Sequence, residues 1–309
     1  MNGLKQHLKA TKLGKAVYFA WRLFPEYLKD ALSYARHSKT FSTNSKGQMQ
    51  AQALELTHAL EKGFATRETR SKFGSEKAKR LAELLESYES YFGEDDVTMF
   101  SRKVLAEHSD WCGGRIKKYQ LTDSVRLAKK TTPNSAALHK LIRNRVSIRQ
   151  FSDATLRADA LAAAVQTAQS APSSCNRQAS KLHYYDDRNK IRELLLYQGG
   201  ANSFIDEIPA LAIITSDTGA WDSPNERSQG LVDSGMFAMN FIIGLEAEGL
   251  GSCPLNLALI HRSEKAIKVA GNIPANERLV VAVAIGDPEA QVEVAMSTRL
   301  QTDDIFIRH

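Results

Sequence analysis

Large apolar residues recur near the start of the chain, at Leu4, Leu8, Leu13, Val17, Trp21 and Phe24, with Lys5, Lys9, Lys12 and Lys15 between them. The spacing is that of one helix face, so the stretch predicts an amphipathic helix. Such a basic helix suits an anionic membrane surface, with Trp21 and Phe24 inserted, or a helix packed on the rest of the protein with its lysines in water. Residues 38–48 are polar and aperiodic and predict a loop. Helical periodicity returns over Ala51–Lys62 and again over Ser75–Phe92. In the latter, Leu81, Leu84, Leu85, Tyr88 and Tyr91 share a face and Gly93 follows as a stop. Asp95 or Asp96 is placed to cap a third helix through Glu107. Residues 1–110 thus form an all-helical N-terminal region. Residues 111–133, with Gly113-Gly114, a basic cluster and Pro133, predict a linker.

Past residue 134 the texture changes. Leu138–Arg145 and Ala158–Gln169 are helical. Leu182–Tyr185, Ala210–Thr215 and Leu279–Ile285 are short apolar runs bounded by turn residues, and they predict strands. Ser228–Glu248 is apolar almost all round, as in a helix buried at the centre of a domain or in a subunit interface. Helices alternating with strands make residues 134–309 an α/β or α+β domain.

Composition narrows the class. Of 309 residues, 43% are hydrophobic and 25% charged, which excludes a disordered or fibrous chain. The apolar run around Val280–Ile285 is too short to cross a bilayer. Three cysteines without a C-x-x-C pair argue against a disulfide framework or a zinc site and point to a reducing cytoplasm. The net charge is +6, yet residues 1–50 hold nine Lys/Arg against two acids. The basic character therefore belongs to one end, and it argues against nucleic acid as a partner.

Three polar segments carry candidate chemistry. In Arg145-Val-Ser147-Ile-Arg149, alternate residues of an extended strand would present two guanidinium groups and a hydroxyl on one side. That is an anion receptor or a solvated strand edge. In Ala171–Gln178, Pro172 ends a helix. Ser173, Ser174 and Asn176 then offer polar groups and backbone amides, which suit a planar heterocycle or an ordinary polar connection. In Gly249–Asn256, Gly249 is a natural helix stop and the amides past Pro254 are free to donate. A strand ending Ile285-Gly286-Asp287-Pro288 and a late Arg299 complete the set. No G-x-G-x-x-G, Walker, H-E-x-x-H or G-x-S-x-G string is present, which argues against metallohydrolase and serine hydrolase chemistry.

In this order and spacing the segments resemble the nitroreductase family of FMN-dependent oxidoreductases. The motifs are R-x-S-x-R at 145–149, P-S-S-x-N-x-Q at 172–178, G-L-G-S-x-P at 249–254, V-V-A-V-A-I-G-D-P at 280–288, and Arg299. The resemblance implies an α+β fold, a nitroreductase-like mixed α/β sandwich over residues 134–309 preceded by the helical region. It implies FMN, with Arg145, Ser147, Arg149 and Arg299 on the phosphate, ribityl chain and pyrimidine edge. Pro172, Ser173, Ser174 and Asn176 would reach the flavin bound mainly by the other subunit of an intertwined homodimer. Pro254, Leu255 and Asn256 would bring backbone to the flavin N5, and Asn202 would contact the ring. The implied activity is reduction of a small nitro, quinone or enone acceptor by NAD(P)H, with ping-pong hydride transfer through the flavin.

Departures from the pattern are Ala179-Ser180 where Pro and an aromatic residue often follow, Ser297 where a second cation is frequent, and Leu257 in place of glycine. They motivate an alternative, a scaffold protein of flavin fold whose helical N-terminus docks to a membrane or a polysaccharide-synthesis partner. His58, Glu61, Lys62 and Gly63, with Phe73-Gly74 and Lys77-Ala78, resemble longer nitroreductase-like proteins with a helical extension. His58, Glu61 and Lys62 fall on one helix face, with Gly63 as its end. Cys253 and Cys175 would lie near the site, as redox thiols or, since nothing nearby clearly lowers a thiol pKa, as buried apolar cysteines.

Overall fold

Four strands, β1 (Ser180–Tyr185), β2 (Ala210–Asp217), β3 (Gly251–Asn256) and β4 (Glu277–Gly286), pair antiparallel in the order β1-β2-β4-β3. This computed structural model describes residues 12–38, 45–64, 73–117, 135–295, 297 and 299–309. All of β2 is buried, because it lies inside the sheet and both its faces are covered. Its side chains alternate with the period of two expected of a strand. Leu211 and Ile213 join one apolar cluster, and Ala210, Ala212 and Ile214 join another.

The two clusters are the two halves of a sandwich. On one face lie α7 (Arg188–Leu195) and α9 (His261–Ala270), which contribute Ile191, Leu194 and Ile267. On the other lie α6 (Ala158–Gln169) and α8 (Gln229–Ala247). The α6 stripe Ala160, Ala164 and Ala168 is fully buried against α8. Small residues let the two backbones approach: a Cβ on Gly244 would stand 2.8 Å from the Ala164 Cα. The all-round apolarity of α8 is only partly spent in this contact. Phe241 and Leu245 are buried, whereas Val232, Met236 and Met239 are open in the single chain.

In the N-terminal region, α1 (Lys12–His37) runs through Pro25 as one helix, longer than its leading periodicity implied, while Leu4 and Leu8 lie outside the described residues. The following helices, α2 (Lys46–Phe64), α3 (Ser75–Phe92) and α4 (Asp96–Cys112), close around Leu60, Leu81, Leu85 and Val104. Asp95 caps α4 in a reciprocal box with Thr98 and also accepts from Tyr88 Oη at 2.5 Å and Gln50 Nε2 at 2.9 Å. One carboxylate thus ties three helices. Two expectations are corrected. The 38–48 loop is shorter, since Lys46–Gln48 are helical, and Trp111 and Cys112 belong to α4 rather than to the linker. Gly63 lies in the last described turn of its helix, and a Cβ there would stand 2.2 Å from the Phe73 ring, which would have to move.

The buried Glu277 on β4 ties the sheet across strands. It accepts from His183 Nε2 at 2.6 Å on β1 and from the Thr215 hydroxyl on β2. Burial alone would raise its pKa, but these hydrogen bonds more than offset that and hold it below the ordinary 4.5. A depressed carboxylate pKa contributes stability that is present above the unfolded value and is lost as pH falls through the folded one. Asp95, lowered by Tyr88, Thr98 and Gln50 against its own burial, acts in the same direction. The thermal midpoint is therefore expected to drop between about pH 5 and pH 3, and Glu277→Gln to flatten part of that slope. An unchanged slope in calorimetry of the variant would remove Glu277 from the account.

Candidate functional site

Helix α5 (Ser135–Asn144) delivers the chain to residues 145–149, which run along the outer edge of β3. Ser147 bridges Ser252 in parallel, and the Ile148 amide donates to the Ser252 carbonyl at 2.9 Å. Ile148 turns into the core with 7% exposure. Extended backbone then sends its odd-numbered neighbours the other way. Arg145, Ser147, Arg149 and Arg299 meet there in one pocket of about 230 Å³, walled also by Arg143, Val146, Ala295 and Ser297. The fold thus brings these four residues together. Arg143, in the last turn of α5, was missed, because the strand alternation linking 145, 147 and 149 does not extend into a helix.

Four guanidiniums share this pocket, and among the described residues no acid is one of its walls. Arg149 Nη1 donates to the Ser147 carbonyl at 3.4 Å, and Arg299 Nη1 donates to the Ser297 carbonyl. These two partners are neutral carbonyls, and the cluster of guanidiniums favours a multiply charged anion. Glu246 is near Arg145, but burial raises its pKa, with Arg145 pulling the other way. Behind the pocket floor, Cys253 is 1% exposed. Burial pushes its thiol above the usual value, against the pull of Arg149, Ser147 and Arg145. It is the inert buried thiol expected, whereas Cys175 is exposed, contrary to expectation.

The second segment, Pro172–Gln178, forms a tight bend in which Cys175, Asn176 and Gln178 take φ of 52°, 56° and 51°. These left-handed values are unusual outside glycine and are kept by outside anchors. The Ser174 amide and hydroxyl donate to Asp233 at 2.8 and 3.3 Å. Arg177 turns inward to Glu55, Glu226 and the Trp221 ring. Pro172 and Ser173 line a cavity of about 380 Å³ with Gln169, Lys181, Asp233 and Phe237. That cavity shares no wall residue with the arginine pocket.

Asn176 and Ser174 are half-buried beside that cavity and are not among its walls. Pro254 and Asn256 are exposed at the end of β3, while the Leu255 side chain is buried in the core and only its backbone is left for a ligand. The Asn256 carbonyl accepts from Gln198 Nε2 at 3.1 Å. Leu257 packs on the apolar cluster beneath. Asn202 is exposed in the turn before β2 and is not drawn to either pocket. One chain therefore joins the arginine set and keeps the serine bend apart from it. His58 and Glu61 are half-buried and Lys62 exposed on α2. Burial raises the Glu61 pKa, with His58 opposing.

Comparison with curated proteins finds no match. Among solved structures, NfrA2 of B. megaterium is 24% identical with a TM-score of 0.50, over 55% of this chain and 73% of that one. Bacillus subtilis ydfN, described as a nitroreductase, is 16% identical with a TM-score of 0.50, over 57% of this chain and 100% of that one. A Desulfovibrio desulfuricans protein, described as a nitroreductase in complex with FMN, is 19% identical with a TM-score of 0.49, over 56% and 96%. The first two share the fold of the sheet and its covering helices. The sequence model of the Nitroreductase family matches residues 142–198 and 188–287, the stretch from the first pocket arginines to the end of β4. Over that stretch, somewhat under half of the chain, the sequence is similar to the nitroreductase family.

Proposed function

We propose that this chain binds FMN and is an FMN-dependent oxidoreductase, with NAD(P)H as donor and a small nitro, quinone or enone compound as acceptor. The observation that carries the reading is the pocket in which four arginines and Ser147 converge. A phosphate monoester is close to dianionic at neutral pH and takes charge-assisted hydrogen bonds from guanidinium forks. Arg145, Arg149, Arg299 and Ser147 are the proposed phosphate and ribityl ligands. Arg143 adds the charge that Ser297 fails to supply. Bound flavin would accept hydride from reduced nicotinamide and pass electrons to the acceptor. The chain's own part is to anchor and orient it, with backbone at Pro254, Leu255 and Asn256 on one side and the Pro172, Ser173, Ser174 and Asn176 bend on the other. Asn202 is kept as a proposed ring contact.

The bend and the arginine pocket stand apart in one chain, which is the arrangement a flavin site shared between two subunits requires. Open apolar surface supports the homodimer. Val232 and Met239 on α8 are 55% and 42% exposed, and Leu300, Ile305, Phe306 and Ile307 near the C-terminus are all above 60%. Large apolar side chains left open in this way are what an interface covers. We also infer peripheral membrane contact through residues 4–24, supported by Trp21 and Phe24, which are 66% and 69% exposed. No helix among the described residues is long and apolar enough to cross a membrane.

The absorbance spectrum of the purified full-length protein tests the function. A flavin spectrum bleached by NADH or NADPH and restored by an acceptor is the expected result. A colourless protein that leaves added FMN unbound would replace the enzyme with the scaffold reading.

A further inference from the structure

Helix α1 carries two stripes. Glu26, Asp30 and Tyr34 hold it to the C-terminal region. The Glu26 carboxylate accepts from the His261 amide at 2.8 Å, the Tyr34 hydroxyl donates to the Ser223 carbonyl at 2.7 Å, and an Asp30 oxygen lies 3.2 Å from His261 Nε2. Leu13, Val17, Trp21, Phe24, Leu28 and Leu32 form the second stripe, each between 49% and 76% exposed. The two are offset by two residues, about 200° around the helix, so anchoring on one leaves the other in solvent.

Between the stripes, α1 and α9 enclose a groove of about 690 Å³. Leu32, the last residue of the apolar stripe, is also a wall of this groove, with Val269 and Ile273. Lys29, Arg36, Lys265 and Lys268 line it with Glu264, and Lys29 is paired with Glu26 at 3.0 Å. Lys268 is within 2.7 Å of Glu264, whereas Arg36 and Lys265 are exposed at the groove. His37, also a wall, has its pKa lowered first by burial and then by the like charges of Lys268 and Arg36, with Ser33 and Asp217 opposing. An apolar strip thus leads directly into a cationic recess.

We infer that this groove receives the phosphate-bearing headgroup of an anionic phospholipid while the α1 stripe lies in the same leaflet, which makes α9 part of the membrane-contact surface. The inference rests on the membrane contact proposed for residues 4–24 and adds a headgroup site that the N-terminal helix alone does not contain. Apolar area supplies partition into the leaflet, and cations near the surface supply preference for anionic lipid.

The test is co-sedimentation of the full-length protein with phosphatidylcholine vesicles, with and without phosphatidylglycerol. Wild type is expected to sediment with the mixed vesicles and to be released by salt. The double variant Arg36→Glu, Lys265→Glu should bind them about tenfold more weakly or worse, with its far-UV spectrum unchanged. Trp21→Ala with Phe24→Ala should weaken binding through the stripe. If wild type ignores both vesicle types, the membrane contact itself is wrong and the groove assignment goes with it. If only the aromatic variant loses binding, membrane contact stands and the headgroup site is overturned. Protection of Lys265 from acylation by glycerol phosphate, with vesicle binding of the charge variant intact, would assign the groove to a soluble phosphate ester and also overturn it. Self-association abolished by the aromatic variant, without vesicle binding, would give the stripe to a second copy of the chain and count against the proposal.

Discussion

Arg145→Ala is expected to lower FMN affinity by between about tenfold and a hundredfold while leaving the thermal midpoint of the apoprotein nearly unchanged. A hydrogen bond to a charged group contributes about 1.5–3 kcal/mol, which sets that range. Arg145 is half-buried at the pocket rather than in the core, so its removal opens no cavity there. Arg143, Arg149 and Arg299 stay behind to hold part of the charge, which is why loss is expected to be large but incomplete. Arg145→Lys should fall between, since an ammonium keeps the charge and loses the planar fork. Flavin fluorescence titration of apoprotein gives the affinity and calorimetry the stability. Equal FMN binding by wild type and Arg145→Ala would take Arg145 out of the proposed phosphate site, and equal losses in affinity and apo stability would make it a structural residue.

Much of this site was readable because its signal is local. Arg145, Ser147 and Arg149 are two residues apart on extended backbone, so their shared direction follows from strand geometry. The β2 run Ala210–Thr215 was legible for a similar reason: a strand covered on both faces is continuously apolar. Strand β3 was not. Gly251 and Pro254 kept it from reading as a strand. Proline is tolerated there because β3 borders the sheet and its outer side is bridged only at Ser147–Ser252. Helix α7 hides among charges, with only Ile191, Leu194 and Leu195 buried, and α9 likewise buries only Ile267. Arg177 escaped notice for another reason. Its partners are 122 and 49 residues away along the chain, and no periodicity reports such a contact.

That arginine gives the second large effect. Arg177→Met is expected to destabilise the protein by about 3 kcal/mol, a loss of several degrees in midpoint. The Arg177 side chain is 5% exposed. Its Nε and Nη2 face both oxygens of Glu55 at 3.3 and 3.2 Å, its Nη1 donates to Glu226 at 2.8 Å, and its guanidinium stands 5.2 Å from the Trp221 ring centroid. Burial opposes the arginine's charge, but Glu55 and Glu226 more than offset it and raise the pKa. Taking the cation away leaves two carboxylates facing each other; they keep 30% and 25% exposure, which places the cost near the lower end of the range for broken buried pairs. The effect reaches the flavin proposal because Cys175, Asn176 and Gln178, all left-handed, flank Arg177 and have it and Ser174 as anchors. Hydrogen exchange at residues 173–179 should therefore quicken in Arg177→Met beyond what global unfolding explains. Glu55→Gln, which keeps shape and one acceptor, should produce a smaller version of the same change, and the two substitutions together should cost less than their sum. Since Glu55 stands on α2, this outcome would make the helical region a structural support of the bend. Unaltered exchange in both variants would mean that the bend holds its conformation without it.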